Sequence, residues 1–246
     1  MKLFTAIGAA AAIAAAGIAG AAQLRLELAS VGSAHDPDGA GGVGSVRGGA
    51  FLATIQSVAG LAPDQLGGDI VVGNSFLTFC VEVTEHVSVP ANYAFNVNTA
   101  SISGGASPLN PQPLVSQTAF LYSNFRAGTL AALVGSFNAA ANSDINALQD
   151  SIWYFQNQLG AADVEDNASV YSQLSTKARA LVDAANSALV TNEWVGIGNV
   201  RILNLGVNGV NQDQLALVPT PVPLPTGVGL AAAGMLGIGA RRRRAL

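Results

Sequence analysis

The sequence predicts an α+β fold, a β-sandwich or partial barrel interrupted by a helical block. Three observations lead there. Apolar residues alternate with polar ones in several segments before residue 100. The spacing becomes helical from Pro113 to about Leu189, and alternation returns after Gly196. Strands, then helices, then strands again is the order of a sheet that the chain leaves and rejoins.

The elements follow from this patterning. Leu24 to Val31 sets Leu24, Leu26 and Leu28 against Arg25 and Glu27, the period of a half-buried strand. Ser33 to Gly49 is Gly- and Asp-rich and reads as loop, and Ala50 to Val58 as a second strand. After a turn at Gly73-Asn74, Phe76 to Thr84 is a strong strand by its β-branched and aromatic content. Period two places Leu77, Phe79, Val81 and Val83 on one face and Thr78, Cys80 and Glu82 on the other, more polar one. Tyr93 to Asn98 alternates and is expected to pair beside that strand. Leu114, Thr118, Leu121, Tyr122 and Phe125 fall at helical spacing, and Leu130 to Phe137 continue that character. Asp144 is expected to cap a helix over Ile145 to Asn157, and Ser172 to Leu189 forms a further amphipathic helix. Asn199 to Leu205 and Gln214 to Val218 are closing strands, with Asn208-Gly209 as turn residues between them. They must rejoin the first sheet, since an isolated hairpin is marginal.

The two ends differ from the middle. Residues 1–22 carry Lys2, then an apolar run, then Ala19-Gly20-Ala21, the pattern of a cleaved signal peptide with cleavage after Ala21 or Ala22. Residues 219–246 begin with Pro219, Pro221, Pro223 and Pro225, a stiff extended segment. Thr226 to Ala240 is uncharged and rich in Gly, Ala and Leu, and Arg241, Arg242, Arg243 and Arg244 follow. A basic cluster after an apolar span holds that end in the cytoplasm. As helix the span is roughly 22 Å long against a hydrocarbon core of about 30 Å, which suits a transient inner-membrane anchor.

Val222-Pro223-Leu224-Pro225, the apolar segment and the terminal arginines resemble the PEP-CTERM sorting signal, and more closely its Val-Pro-Leu-Pro-Ala variant. Leu224 stands where the usual motif has Glu, and Thr226 where the variant has Ala. The resemblance implies a Gram-negative host, display at the cell surface or in the matrix, and an exosortase-type sorting protease as a partner.

The whole chain has 11 basic and 15 acidic residues. Without residues 1–22 and 219–246, six basic and 15 acidic residues remain, net −9. That balance argues against nucleic acid and anionic membrane as partners. The remaining 23–218 can hold one sizeable core. Its single cysteine, Cys80, cannot form an internal disulfide. It is buried and inert, pairs between chains, or does chemistry.

Phe79-Cys80-Val81-Glu82 on a strand and Leu148-Gln149-Asp150-Ser151-Ile152-Trp153 on a helix resemble the paired motifs of bacterial thioester domains. The resemblance implies a cross-link in which Cys80 donates sulfur and Gln149 the acyl group, with Trp153 as the aromatic of the second motif. A thiolate is a strong nucleophile and an amide a poor electrophile, so the reaction needs held proximity, worth about 7–11 kcal/mol. Gln149 and Trp153 lie one turn apart on one helix face, where Trp153 can shield the bond from water. Ile145 and Ile152 flank that face and favour its burial. Glu82 shares the Cys80 face and is a candidate to act on a proton. An approaching amine would attack the acyl carbon and Cys80 would leave, a single-use attachment without enzymatic turnover.

Other patterns are weaker. Gly39-Ala40-Gly41-Gly42-Val43-Gly44 matches a dinucleotide fingerprint, with Asp64 following, but polar residues precede it where a buried strand is needed. Asp36 and Asp38 lack the later ligands of a calcium loop, and His35 and His86 do not make a metal site. Asp163, Glu165 and Asp166 read as a solvated turn. No cofactor or metal is expected. The sequence thus points to an exported, surface-sorted module with an internal thioester for amines on a surface or matrix partner. The alternative is a structural matrix or envelope protein with an inert cysteine.

Overall fold

The computed structural model describes residues 20–35, 48–103, 105–159, 167–206 and 209–219. The strands are β1 (Gln23–His35), β2 (Gly48–Ser57), β3 (Ser75–Phe79), β4 (Ala91–Asn98), β5 (Val200–Leu205) and β6 (Gln214–Leu217). The helices are α1 (Ser116–Ala127), α2 (Leu130–Val134), α3 (Asn142–Phe155), α4 (Asn167–Gln173) and α5 (Thr176–Val190), all between β4 and β5. The expected order of strands, helical block and strands is therefore the observed one.

The six strands form one antiparallel sheet in the order β3-β2-β1-β4-β5-β6. Its two edges curl together into a nearly closed barrel. Just past β3, Cys80 makes an antiparallel bridge to Gln214 on β6, and Val81 N–H donates to Asp213 O at 3.1 Å. Thr78 Oγ1 crosses the same seam to Leu215 O at 2.6 Å. Further along, Asp69 N–H donates to Leu217 O at 2.8 Å while its carboxylate accepts from Leu217 N–H at 2.7 Å. Closure leaves few unpaired edge groups, the usual way a β-protein protects its edges.

Strand alternation builds two apolar layers. Leu24, Leu26, Phe51, Ile55, Phe76, Phe95, Leu203 and Leu205 fill the barrel. Phe79, Val81, Val200, Ile202 and Leu215 face outward, beneath α1, α3 and α5. Phe79 meets Phe125 and Tyr122 edge-on, with centroids 5.0 and 6.5 Å apart.

Several expectations are corrected. The third strand ends at Phe79 and does not run to Thr84, because Cys80 and Val81 turn to bond the far edge of the sheet. β4 pairs with β1 and β5, not with β3. Cys80 is fully buried with the barrel core, not on a polar face, because the side facing Thr78 and Cys80 is the barrel interior. Asp144 does not cap α3. Ala141 holds that position, and Asp144 accepts from Asn138 N–H at 2.8 Å and pairs with Lys177 at 3.4 Å. The single helix expected over Ser172 to Leu189 is two, since Leu174 turns into the core and Ser175 caps α5 by accepting from Ala178 N–H at 3.1 Å.

No helix among the described residues is long and apolar enough to cross a membrane. The expected signal sequence up to residue 19, the sorting motif at 222–225 and the arginines at 241–244 lie outside the described residues, as do Asn208 and the segments 36–47 and 160–166.

Arg126 of α1 grips Asp69 through two hydrogen bonds of 2.5 and 2.7 Å, its guanidinium over Phe76 and Tyr122. Asp69 is almost wholly buried, so its loss leaves Arg126 with Tyr122 but no carboxylate partner and Leu217 N–H unsatisfied. Asp69→Ala is expected to cost about 3 kcal/mol in urea denaturation. A change below about 0.5 kcal/mol would show that the clamp does not hold the barrel seam.

Candidate functional site at the barrel seam

The site forms where α3 meets the seam. Gly48 and Gly49 open β2 without side chains, and α3 approaches there. A Cβ on Gly48 would lie 2.3 Å from two ring atoms of Trp153. Gly49 has φ 108°, a conformation glycine adopts freely. Ile145, Leu148 and Ile152 of α3 pack into the outer apolar layer, while Trp153 enters the barrel core. Gln149 lies between these sets and is fully buried.

Gln149 is spent on the backbone. Its Oε1 accepts from Cys80 N–H and from Gly49 N–H, both at 3.2 Å, and its Nε2 donates to Cys80 O at 2.9 Å. One side-chain amide thus fixes both ends of the cysteine residue. A buried amide left unbonded costs several kcal/mol, so this clamp is strongly determined.

The sulfur faces two other glutamines. Cys80 Sγ donates to Gln212 Oε1 at 2.7 Å, and Gln214 Nε2 donates to Sγ at 3.5 Å. Gln212 Nε2 donates to Glu82 O, which fixes which end of that amide meets the thiol. Gln212 and Gln214 are both fully buried. The separation between Sγ and Gln212 Oε1 is close for sulfur, and is near the span of a sulfur and an oxygen bonded to one carbon.

Glu82 is also buried, and its bonds run to the facing segment. Its carboxylate accepts from Asp213 N–H at 2.8 Å, and its carbonyl holds Gln212. The partners of the thiol are glutamines. Asp213 in turn accepts from Leu205 N–H at 2.8 Å, Ile102 N–H at 3.0 Å and Asn204 Nδ2 at 2.5 Å. Gln158 Oε1 ties Val83 N–H and Ala106 N–H together at 3.1 and 2.9 Å.

Burial dominates the electrostatics. It pushes the Cys80 thiol up, with Gln214 opposing and Glu82 adding to the rise. Burial and the neighbouring Asp213 raise Glu82 well above the ordinary carboxylate range. Burial raises Asp213 to about 6 and, together with the Asp213 charge, Glu85 to about 7.

Of the residues the sequence singled out, Cys80, Gln149, Trp153 and Glu82 come together here. His86 is bridged only through its backbone, to Asn211. Among the described residues no cluster of His, Cys, Asp or Glu could hold a metal ion. Sequence reasoning missed Gln212, Gln214, Asp213 and the Gly48-Gly49 pair. The one available signal was Gln212-Asp213-Gln214, three polar residues where the last apolar strand begins.

No protein-family model matches the chain, and no curated protein is similar to it. Among solved structures it is similar to the N-terminal thioester domain of fibronectin-binding protein SfbI from Streptococcus pyogenes. Identity is 12%, over 80% of this chain and 94% of that one, with a TM-score of 0.40. A likeness that low carries no weight for function, which must rest on the contacts above.

Two outcomes follow from the site's packing and charge. Gly48→Ala drives a methyl into Trp153 and is expected to cost about 2 kcal/mol or more in stability, read by urea denaturation. An unchanged midpoint would mean that Trp153 is not held against β2. Asp213 and Glu85 bind their protons more tightly folded than unfolded, where 3.8 and 4.5 are their ordinary values. Their stabilising contribution is therefore full below those values and is lost as pH rises through about 6 and about 7. Stability is expected to fall between pH 4 and 7, and Glu85→Gln to flatten the upper part of that slope. An identical slope in the variant would contradict this.

Proposed function

We propose that the chain is an exported, surface-displayed module that forms an internal thioester at Cys80 and spends it once, acylating an amine on a surface or matrix partner. The observation that carries this reading is the contact of Cys80 Sγ with Gln212 Oε1 at 2.7 Å, inside a pocket closed to solvent. On the same contact we propose Gln212 as the acyl donor. Gln149, the donor expected from the sequence, has both ends of its amide on the Cys80 backbone, whereas the Gln212 amide meets the sulfur.

The chemistry balances within the chain. Sγ bonds to Cδ of Gln212, the Cδ–Nε2 bond breaks, and the thiol proton leaves on nitrogen as ammonia. The Gln149 clamp and the seam supply the held proximity that a thiol and an amide need, about 7–11 kcal/mol of the barrier. Trp153 and the barrel core keep water from the product. An incoming amine then bonds to Cδ, the C–S bond breaks, and the amine's surplus proton returns to sulfur.

Display at the surface rests on the two ends of the sequence. Residues 1–22 support export, and 219–246 support handing over to an exosortase-type protease through a transient inner-membrane anchor in a Gram-negative host. A second reading has one observation in its favour: a fully buried thiol with a raised pKa is the ordinary state of an inert cysteine. The protein would then be a structural component of matrix or envelope.

Intact mass of residues 23–218 separates these. The thioester reading expects a mass lower by one ammonia, raised by one methylamine on treatment, and the full calculated mass in Cys80→Ala and in Gln212→Ala. The full mass in the unaltered protein, with a titratable thiol, would leave the structural reading.

A further inference from the structure

Among the described residues Gln214 donates a hydrogen bond to the sulfur, and the thioester reading gives it no task. It is fully buried, directly across the seam from Cys80. Its Nε2 reaches Sγ at 3.5 Å and donates to Gln212 O at 3.2 Å, while its Oε1 lies 3.5 Å from Thr78 Oγ1, whose one proton goes to Leu215 O at 2.6 Å. These partners fix the amide's orientation. Turned over, its oxygen would face the carbonyl of Gln212, so the N–H stays on the side of that carbonyl and the sulfur.

We propose that Gln214 is a positioning residue for the sulfur, donating the N–H that stabilises the Cys80 thiolate when it attacks Gln212 and again when it departs. This rests on the reading of Cys80 as a thioester sulfur. The pocket has no water-exposed surface to solvate a sulfur anion, and the charge of Glu82 opposes one; Asp213 and Glu85 act on Glu82. A fixed N–H dipole already aimed at the charge needs no reorganisation when the charge appears. In the forming step Sγ gains the bond to Cδ and ammonia carries off the thiol proton. In the transfer step the C–S bond breaks, and the electron pair returns to a sulfur still facing Gln214.

The test uses the single cysteine. In Gln212→Ala, once intact mass has shown the thiol free, the 13Cβ resonance of labelled Cys80 reports its ionisation against pH. Adding Gln214→Met, which keeps length and removes the donor, is expected to move that titration to higher pH. Gln214→Glu is expected to move it further. With Gln212 intact, Gln214→Met is expected to slow opening of the thioester by methylamine about tenfold. Gln214→Asn keeps an amide but withdraws its donor from Sγ, is expected to shift the titration in the same direction, and decides the matter if the Met and Glu variants do not fold. An unchanged titration in the folded variants would overturn the proposal. If the unaltered protein shows its full calculated mass, the thioester reading fails by itself, and the titration still decides whether Gln214 acts on the sulfur.

Discussion

The structure depends on one buried amide. Gln149 reaches from α3 into the seam of the barrel and bonds the N–H and C=O of Cys80 and the N–H of Gly49. Those three bonds join β2, the end of β3 and helix α3 of the outer layer. β3 stops where Cys80 takes up this geometry, which frees Val81 to bond Asp213 and close the sheet. Barrel closure and the placing of the cysteine are therefore one event. A substitution at Gln149 would be felt in both, because it leaves three backbone groups without partners in a pocket that water does not reach.

From that clamp the rest of the site follows. With the backbone of Cys80 fixed, its side chain can point only into the barrel, where the segment opening β6 supplies Gln212 and Gln214. Glu82 holds Gln212 by its carbonyl and Asp213 by its carboxylate, so two residues after the cysteine fix two residues of the facing segment. Asp213 carries the connection on to β5 and to Ile102. The arrangement concentrates polar groups in an apolar interior. That is costly unless every member is bonded, and such networks specify one geometry when they are.

Much of this was legible in the sequence. Strand periodicity gave β1, β2, β4, β5 and β6 within a few residues, and the helical spacing of Leu121, Tyr122 and Phe125 gave α1. The pairing of Cys80 with the Gln149 helix was legible through the resemblance of Phe79-Cys80-Val81-Glu82 and Leu148-Gln149-Asp150-Ser151-Ile152-Trp153 to the paired motifs of bacterial thioester domains. What was not legible depended on closure. Period two cannot say that the Thr78–Cys80 face is the inside of a barrel, and so misplaces Cys80 on a polar surface. Nor can it say that β4 has two other neighbours. Gln212 falls between the turn residues and the last strand, where no periodic pattern marks it, and the folded seam brings it to the sulfur. The break at Ser175 was hidden for the same kind of reason. Its hydroxyl caps one helix and its neighbour Leu174 ends another, within a stretch whose period is continuous.

The central claim is that the sulfur of Cys80 is joined to Gln212, with Gln149 holding the cysteine in place. It is tested most directly by treating the unaltered protein with methylamine and locating the modified glutamine by tandem mass spectrometry of its peptides. The account predicts the methylamide on Gln212 and an unmodified Gln149. A methylamide on Gln149 would contradict the assignment of the two glutamines, and an unmodified protein with a free thiol would contradict the thioester itself.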